Sequence, residues 1–159
     1  MLWCVIASLF ILTSYVASVC ARWGVPGSIS QTFFSIRHKW IFSACVASSA
    51  ALLYFPMMDV LAESWQWLAF IFLAGCLFIA FAPNLNDELE RNAHMVGAIT
   101  MGLASQIIVI VVGLYPMLMM WSMGLYMMWQ YKDKKVFIAE MIGGACLYLA
   151  LAIRLYIGF

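Results

Sequence analysis

Charged side chains are scarce in this chain. Asp, Glu, Lys and Arg make up 9% of its 159 residues, whereas 67% are hydrophobic. A soluble domain needs more charge on its surface, so this composition excludes a soluble globular fold. A formal net charge of +1 also leaves no basic surface of the kind that binds nucleic acid. Apolar helices that cross a lipid bilayer accommodate such a composition.

Histidine and paired cysteine are scarce as well. The chain has only two histidines, His38 and His94, and five cysteines without a CxxC spacing. This set cannot supply the clustered ligands of a zinc site, and it lacks the HxxxH pattern of the ceramidase-like hydrolases. The cysteines lie inside apolar runs, which argues against a disulfide framework. We therefore predict no metal and no cofactor.

Long apolar runs are abundant instead. Six of them can cross a hydrocarbon core of about 30 Å at about 1.5 Å per residue. We expect a single transmembrane domain, residues 1–159, folded as an all-α polytopic bundle. No positive segment precedes the first run, so we expect a retained span and not a cleaved signal peptide. The predicted spans are residues 2–21, 40–60, 65–82, 94–114, 115–131 and 136–157.

The basic residues predict an orientation. With six spans, Arg154 alone lies on one side of the membrane. Lysine and arginine accumulate in cytoplasmic loops, so the opposite, basic side should be the cytoplasmic one. We expect both termini outside a plasma membrane, the inner membrane of a bacterium. The residues on the basic side are Arg22, Arg37, Lys39, Arg91, Lys132, Lys134 and Lys135.

A polar stretch, PGSISQTFF at residues 26–34, follows the first span. Ser28 or Ser30 can cap a short helix there, lying at the interface or dipping into the bundle. With Thr32 and the following basic triplet Arg37-His38-Lys39, these hydroxyls are candidate contacts for a small ligand such as a phosphate. The alternative interpretation is a capped loop that only links two spans.

A second polar stretch, residues 84–94, lies on the same side. If Asp87 caps a helix, Glu90 and His94 lie four residues apart on one face. His94 could then act as a base oriented by Glu90, or both could bind a ligand. The alternative interpretation is a solvated loop whose acids begin the next helix. We expect this stretch to pack against residues 26–34 and to form the mouth of a cavity.

Polar and small residues inside the spans are a third signal. Gln106 lies in the middle of the fourth span and cannot reach water, so it either binds a ligand or forms an interhelical hydrogen bond. Glu140 and Arg154 lie near span ends and can extend to the interfaces. Ala98 and Gly102 share a small-xxx-small face that should allow close helix packing.

Methionines form a further pattern. Met119, Met123 and Met127 share one face of the fifth predicted span. Thioethers at this spacing can pass Cu(I), and the face resembles the methionine ladder of copper-permeating membrane trimers in this one motif. Methionine is also an ordinary apolar filler, which is the alternative.

Two short motifs carry a resemblance. Residues 26–34 and the pattern from Ala82 through Glu90 to His94, Gly97 and Ala98 together resemble small, uncharacterised polytopic membrane proteins of bacteria and their phages. The resemblance implies a six-span bundle with two polar cytoplasmic segments in contact. It implies no activity.

Three functions remain open. The first is a non-enzymatic protein that binds or transports a small ligand, or serves as a subunit of a membrane complex. The second is a small enzyme acting on a lipid headgroup, with His94 as the base and Ser28, Ser30 or Thr32 as nucleophile or substrate contact. The third is a scaffold. The expected partners are the bilayer, a small-molecule or lipid ligand, and further copies of the chain.

Overall fold

All regular structure in residues 1–82 and 87–158, which the computed structural model describes, is helical. Five helices are long and apolar enough to cross a membrane, counting short 3₁₀ turns ahead of two of them. The all-α prediction is confirmed. The α-helices are α1 Leu2–Trp23, α2 Thr32–Ser35, α3 Trp40–Val60, α4 Trp67–Phe81, α5 Glu88–Val111, α6 Met120–Gln130 and α7 Lys135–Ile157.

The long helices pack as a bundle in which α7 contacts α1, α3, α5 and α6. The chain order α1–α3–α4–α5 also places sequential helices beside one another. Large apolar side chains such as Trp3, Phe10 and Phe81 remain exposed on the outer surface. A water-soluble protein rarely exposes so much apolar surface, whereas lipid favours it.

The closest helix crossing joins α4 and α5. A Cβ added to Gly97 would lie 2.6 Å from Cβ of Phe78 and 2.8 Å from the carbonyl oxygen of Gly75. The two backbones therefore approach as closely as only glycine permits. Gly102, by contrast, has no neighbouring atom within 4 Å of an added Cβ. The prediction that Ala98 and Gly102 allow close helix packing was wrong at Gly102. The crossing uses the face of Gly97, one residue earlier in α5.

The predicted span at 115–131 is not one helix of spanning length. A 3₁₀ turn, Tyr115–Met119, precedes α6, which has 11 residues. At about 1.5 Å per residue α6 covers about 17 Å, roughly half the hydrocarbon core. The apolar composition of 115–131 suits a span, but Pro116 near its start favours the tighter turn.

The fourth predicted span also begins earlier than residue 94. The Asp87 carboxylate accepts hydrogen bonds from the backbone N–H groups of Leu89 and Glu90 and so caps α5. This satisfies donors that a helix start leaves without partners. His94 consequently lies almost two turns inside α5 and faces the bundle. The predicted cap at Asp87 is confirmed, while residues 83–86, including Asn84, lie outside the described part.

Candidate functional site

Residues 26–34, hereafter the mouth segment, fold back against the bundle after α1 ends. The Ser28 hydroxyl accepts a hydrogen bond from the N–H of Gln31, and the Gln31 side chain accepts one from the N–H of Gly27. These two bonds close a turn ahead of α2, whose N-cap residue is Gln31. The prediction that Ser28 or Ser30 caps a short helix was wrong, because α2 has no side-chain cap and the Ser28 hydroxyl is used within the preceding turn.

Three sets of hydrogen bonds, here called tethers, hold the mouth segment against the bundle. The first tether comes from α5. The imidazole Nε2 of His94 lies 2.8 Å from the Ser30 hydroxyl, and its Nδ1 lies 3.1 Å from the carbonyl oxygen of Ala82. A carbonyl can only accept, so Nδ1 carries the proton in this contact. In the neutral ring Nε2 then accepts the hydrogen bond that Ser30 donates. Ser30 is 7% exposed and His94 is 3% exposed, so the pair is buried.

The second tether comes from α1. The Thr32 hydroxyl donates to the carbonyl oxygen of Ile29, so the Tyr15 hydroxyl donates to Thr32 at 2.7 Å. Thr32 is fully buried. The Tyr15 side chain also packs against Phe42 of α3, which contacts Phe33 of the mouth segment. These contacts hold the segment inside the end of the bundle, which is one of the two positions that the sequence analysis allowed.

The third tether comes from the start of α7. The Glu140 carboxylate accepts a hydrogen bond from the Ile29 N–H at 2.5 Å. The Phe137 N–H donates to the carbonyl oxygen of Gly27, and the Lys134 ammonium donates to that of Val25. The sequence predicted that Glu140 could reach the interface. It instead lies against the mouth segment, partly buried.

The two predicted polar segments therefore meet, through His94 and Ser30. The Ala82 carbonyl takes the orienting position at His94 Nδ1 that the sequence suggested for Glu90. Glu90 lies nearby on α5, half-buried. Ser28, Ser30, Thr32 and His94 all lie at one end of the bundle, and each is held by a hydrogen bond within the chain. Whether these residues bind a ligand stays a prediction.

Gln106 lies apart from this end. Its Oε1 accepts a hydrogen bond from the Trp121 indole at 3.0 Å, and its Nε2 lies 3.4 Å from the Gly143 carbonyl oxygen and 2.9 Å from the Ser105 hydroxyl. These bonds join α5, α6 and α7. Gln106 therefore faces protein, in the arrangement of an interhelical hydrogen bond.

A polar cluster that sequence reasoning missed lies in the core between α1, α3 and α7. The hydroxyls of Ser8, Ser49 and Tyr148 contact one another at 2.6–3.0 Å. Each residue is buried. Single hydroxyl residues in apolar runs give no signal of this kind, because Ser and Tyr are tolerated on many helix faces.

The methionine face does not converge on the bundle interior. Met119 and Met123 are 76% and 59% exposed, while Met127 packs against the core. The face therefore mixes outward and inward side chains within a single chain.

Comparisons with known proteins add no relative. The chain matches no protein-family model, no curated protein and no solved structure.

Proposed function

We propose that this chain is a multi-pass protein of the bacterial plasma membrane that binds or conducts a small ligand at its cytoplasmic mouth, with the mouth segment as the plug. One observation carries the proposal. Side chains of three different helices, Tyr15, His94 and Glu140, hold the segment at the end of the bundle. His94 and Glu140 are of the residue types that, within spanning helices, usually mark a functional site.

We infer six crossings from the positions of α5 and α7. α5 begins near the mouth segment, through His94, and α7 begins beside it, through Phe137. Residues 112–134 must therefore return from the far end of α5. The 3₁₀ turn Tyr115–Met119 and α6 comprise 5 and 11 residues. At rises of about 2.0 and 1.5 Å these two pieces have a combined length of about 27 Å, close to a hydrocarbon core of about 30 Å. The charged turn Lys132–Lys134 then lies at the cytoplasmic end of this crossing.

The basic residues support the orientation. Arg22, Lys134 and Lys135 belong to the end of the bundle that holds the mouth segment, and Arg154 belongs to the last turn of α7 at the other end. By the positive-inside rule the mouth faces the cytoplasm and both termini lie outside.

Binding requires the plug to move. Ser30 and His94 are almost fully buried, so a ligand reaches them only when the mouth segment separates from α5. Separation from α5 releases the Ser30 hydroxyl and the His94 imidazole, and separation from α1 and α7 releases the Tyr15 and Thr32 hydroxyls and the Glu140 carboxylate. A ligand that satisfies them offsets the cost of leaving buried polar groups without partners. This set suits a small polar molecule with both donors and acceptors.

Ligand-dependent unfolding tests the proposal. The purified protein is heated with soluble phosphates, carboxylates and amines in turn. We expect one class to raise the unfolding temperature of the wild type, and the rise to disappear in Ser30→Ala and His94→Gln. Ser122→Ala is the control and should keep the rise, because the exposed Ser122 hydroxyl is bonded only to the nearby carbonyl oxygen of Met119. A rise that survives both mouth changes would place the site elsewhere.

A second candidate function is a membrane enzyme, favoured by the Ser30–His94 geometry. A hydroxyl that donates to an imidazole, whose other nitrogen is oriented by a fixed acceptor, is the arrangement of an activated nucleophile. Proteoliposomes of phosphatidylethanolamine and phosphatidylglycerol test it. Headgroup loss, measured by mass spectrometry and absent in Ser30→Ala, would favour the enzyme over the binding protein.

A further inference from the structure

A pocket of about 730 Å³ lies between the last turns of α1 and the chain that leads into α3, beside the mouth segment. Two arginines and a histidine line it: Arg22, Arg37 and His38. All three side chains are exposed. None of the described residues that line the pocket is acidic, so no carboxylate of the lining offsets the positive charge of the arginines.

The basic triplet 37–39 is divided between two surfaces. The Lys39 ammonium lies 4.9 Å from the ring centre of Phe33 and 5.8 Å from that of Phe34. Cations at such distances are attracted to the ring face. Lys39 is thereby engaged on the aromatic side of the mouth segment, while Arg37 and His38 line the pocket.

The rest of the lining is apolar. Val19, Ile36 and Ile41 form part of it, and Trp23 lies at its edge, stacked with the guanidinium of Arg22 at 5.5 Å. Exposed tryptophan at the end of a spanning helix is typical of the lipid interface. The pocket thus combines cations with an apolar wall where headgroups meet acyl chains.

We propose that this pocket binds the phosphodiester headgroup of an anionic membrane lipid, with Arg22 and Arg37 on the phosphate and the start of the acyl chains against Val19 and Ile41. Guanidinium groups offer paired donors that match phosphate oxygens. Basic pockets between helices on the cytoplasmic side are known to accept such headgroups. A soluble phosphate would gain nothing from the apolar wall, so the lipid is the better fit. This site is separate from Ser30 and His94.

Native mass spectrometry of the full chain tests the assignment, with phosphatidylglycerol titrated into zwitterionic micelles. We expect Arg22→Gln/Arg37→Gln to weaken binding about 25-fold, about fivefold for each cation removed. Lys132→Gln/Lys135→Gln removes the same charge from exposed positions at the same end of the bundle and should change binding little. All four side chains are exposed, so we expect both variants to fold. Their unfolding temperatures check this expectation.

Three results would overturn the proposal. An equal loss in both double variants would mean diffuse attraction and no pocket. Displacement of the lipid by inorganic phosphate at equal concentration, or equal binding of phosphatidylcholine, would mean that no anionic lipid is recognised.

Discussion

The Nε2 atom of His94 lies 2.8 Å from the Oγ atom of Ser30, although 64 residues separate them in sequence. The bond joins α5 to the mouth segment, and the Ala82 carbonyl holds the other side of the ring. A buried imidazole with both nitrogens engaged is positioned by its surroundings and not by its own helix.

The α4–α5 crossing should depend on glycine. Gly97→Ala introduces a Cβ too close to Phe78 and to the Gly75 backbone, so the helices must separate. We expect a loss of about 1–3 kcal/mol, as for other overpacked sites. Gly102→Ala meets nothing and should be neutral or stabilising, since alanine is the better helix former. Unfolding titrations of both variants measure the difference, and equal effects would contradict the crossing.

Gln106 should stabilise the bundle through Trp121. Gln106→Leu removes both interhelical contacts, and we expect a loss of about 0.6–2 kcal/mol. Trp121→Phe keeps a ring but removes the indole donor. In a double-mutant cycle the two losses should add to more than the loss in the double variant, because they remove the same bond. Additive losses would mean that the Gln106–Trp121 bond contributes nothing.

Glu140 should hold the mouth segment against α7. Glu140→Leu removes the acceptor of the Ile29 N–H, so amide hydrogen exchange across residues 27–33 should become faster. Glu140→Gln retains an acceptor oxygen and should have an intermediate effect. Met141→Leu, at the neighbouring exposed position, is the control and should leave exchange unchanged. Exchange that is unchanged in Glu140→Leu, or that rises equally in Met141→Leu, would contradict a hydrogen bond from Ile29 to Glu140 that holds the segment.

The topology is testable by labelling. In a background without the native cysteines, Asp133→Cys should react with an impermeant thiol reagent only from the cytoplasmic side. Glu63→Cys, in the turn before α4, should react only from outside. Both positions are exposed. Labelling of the two positions from one side would mean five crossings and would overturn the proposed orientation.

Much of the helical architecture follows from the sequence. α1, α3, α4 and α7 match unbroken apolar runs to within two residues, because polar residues or glycine end each run. α6 does not, since a 3₁₀ turn and a helix can have the same apolar composition. The fourth span was predicted to begin at His94, whereas α5 begins at Glu88, directly after the Asp87 cap that the sequence had suggested.

The candidate site was predictable only in part. The opposite charges of the two polar segments, and their position on one side of the membrane, predicted that the mouth segment lies against the segment of His94. The Ser30–His94 contact agrees with this prediction. The partners Tyr15, Ala82 and Glu140 were not found. They are single residues in helices that are apolar on all sides, and such helices give no indication of which face turns inward.

The tautomer of His94 is the most direct evidence for the hydrogen bond that holds the mouth segment to α5. In a His38→Gln background His94 is the only histidine, and ¹⁵N NMR at about pH 8.5 reports a neutral ring, well above the ordinary imidazole pKa. We expect a proton on Nδ1 and a hydrogen-bonded Nε2 whose chemical shift changes in Ser30→Ala but not in Ser122→Ala. A ring protonated on Nε2, or an Nε2 shift unaffected by Ser30→Ala, would contradict the contact on which the proposed plug depends.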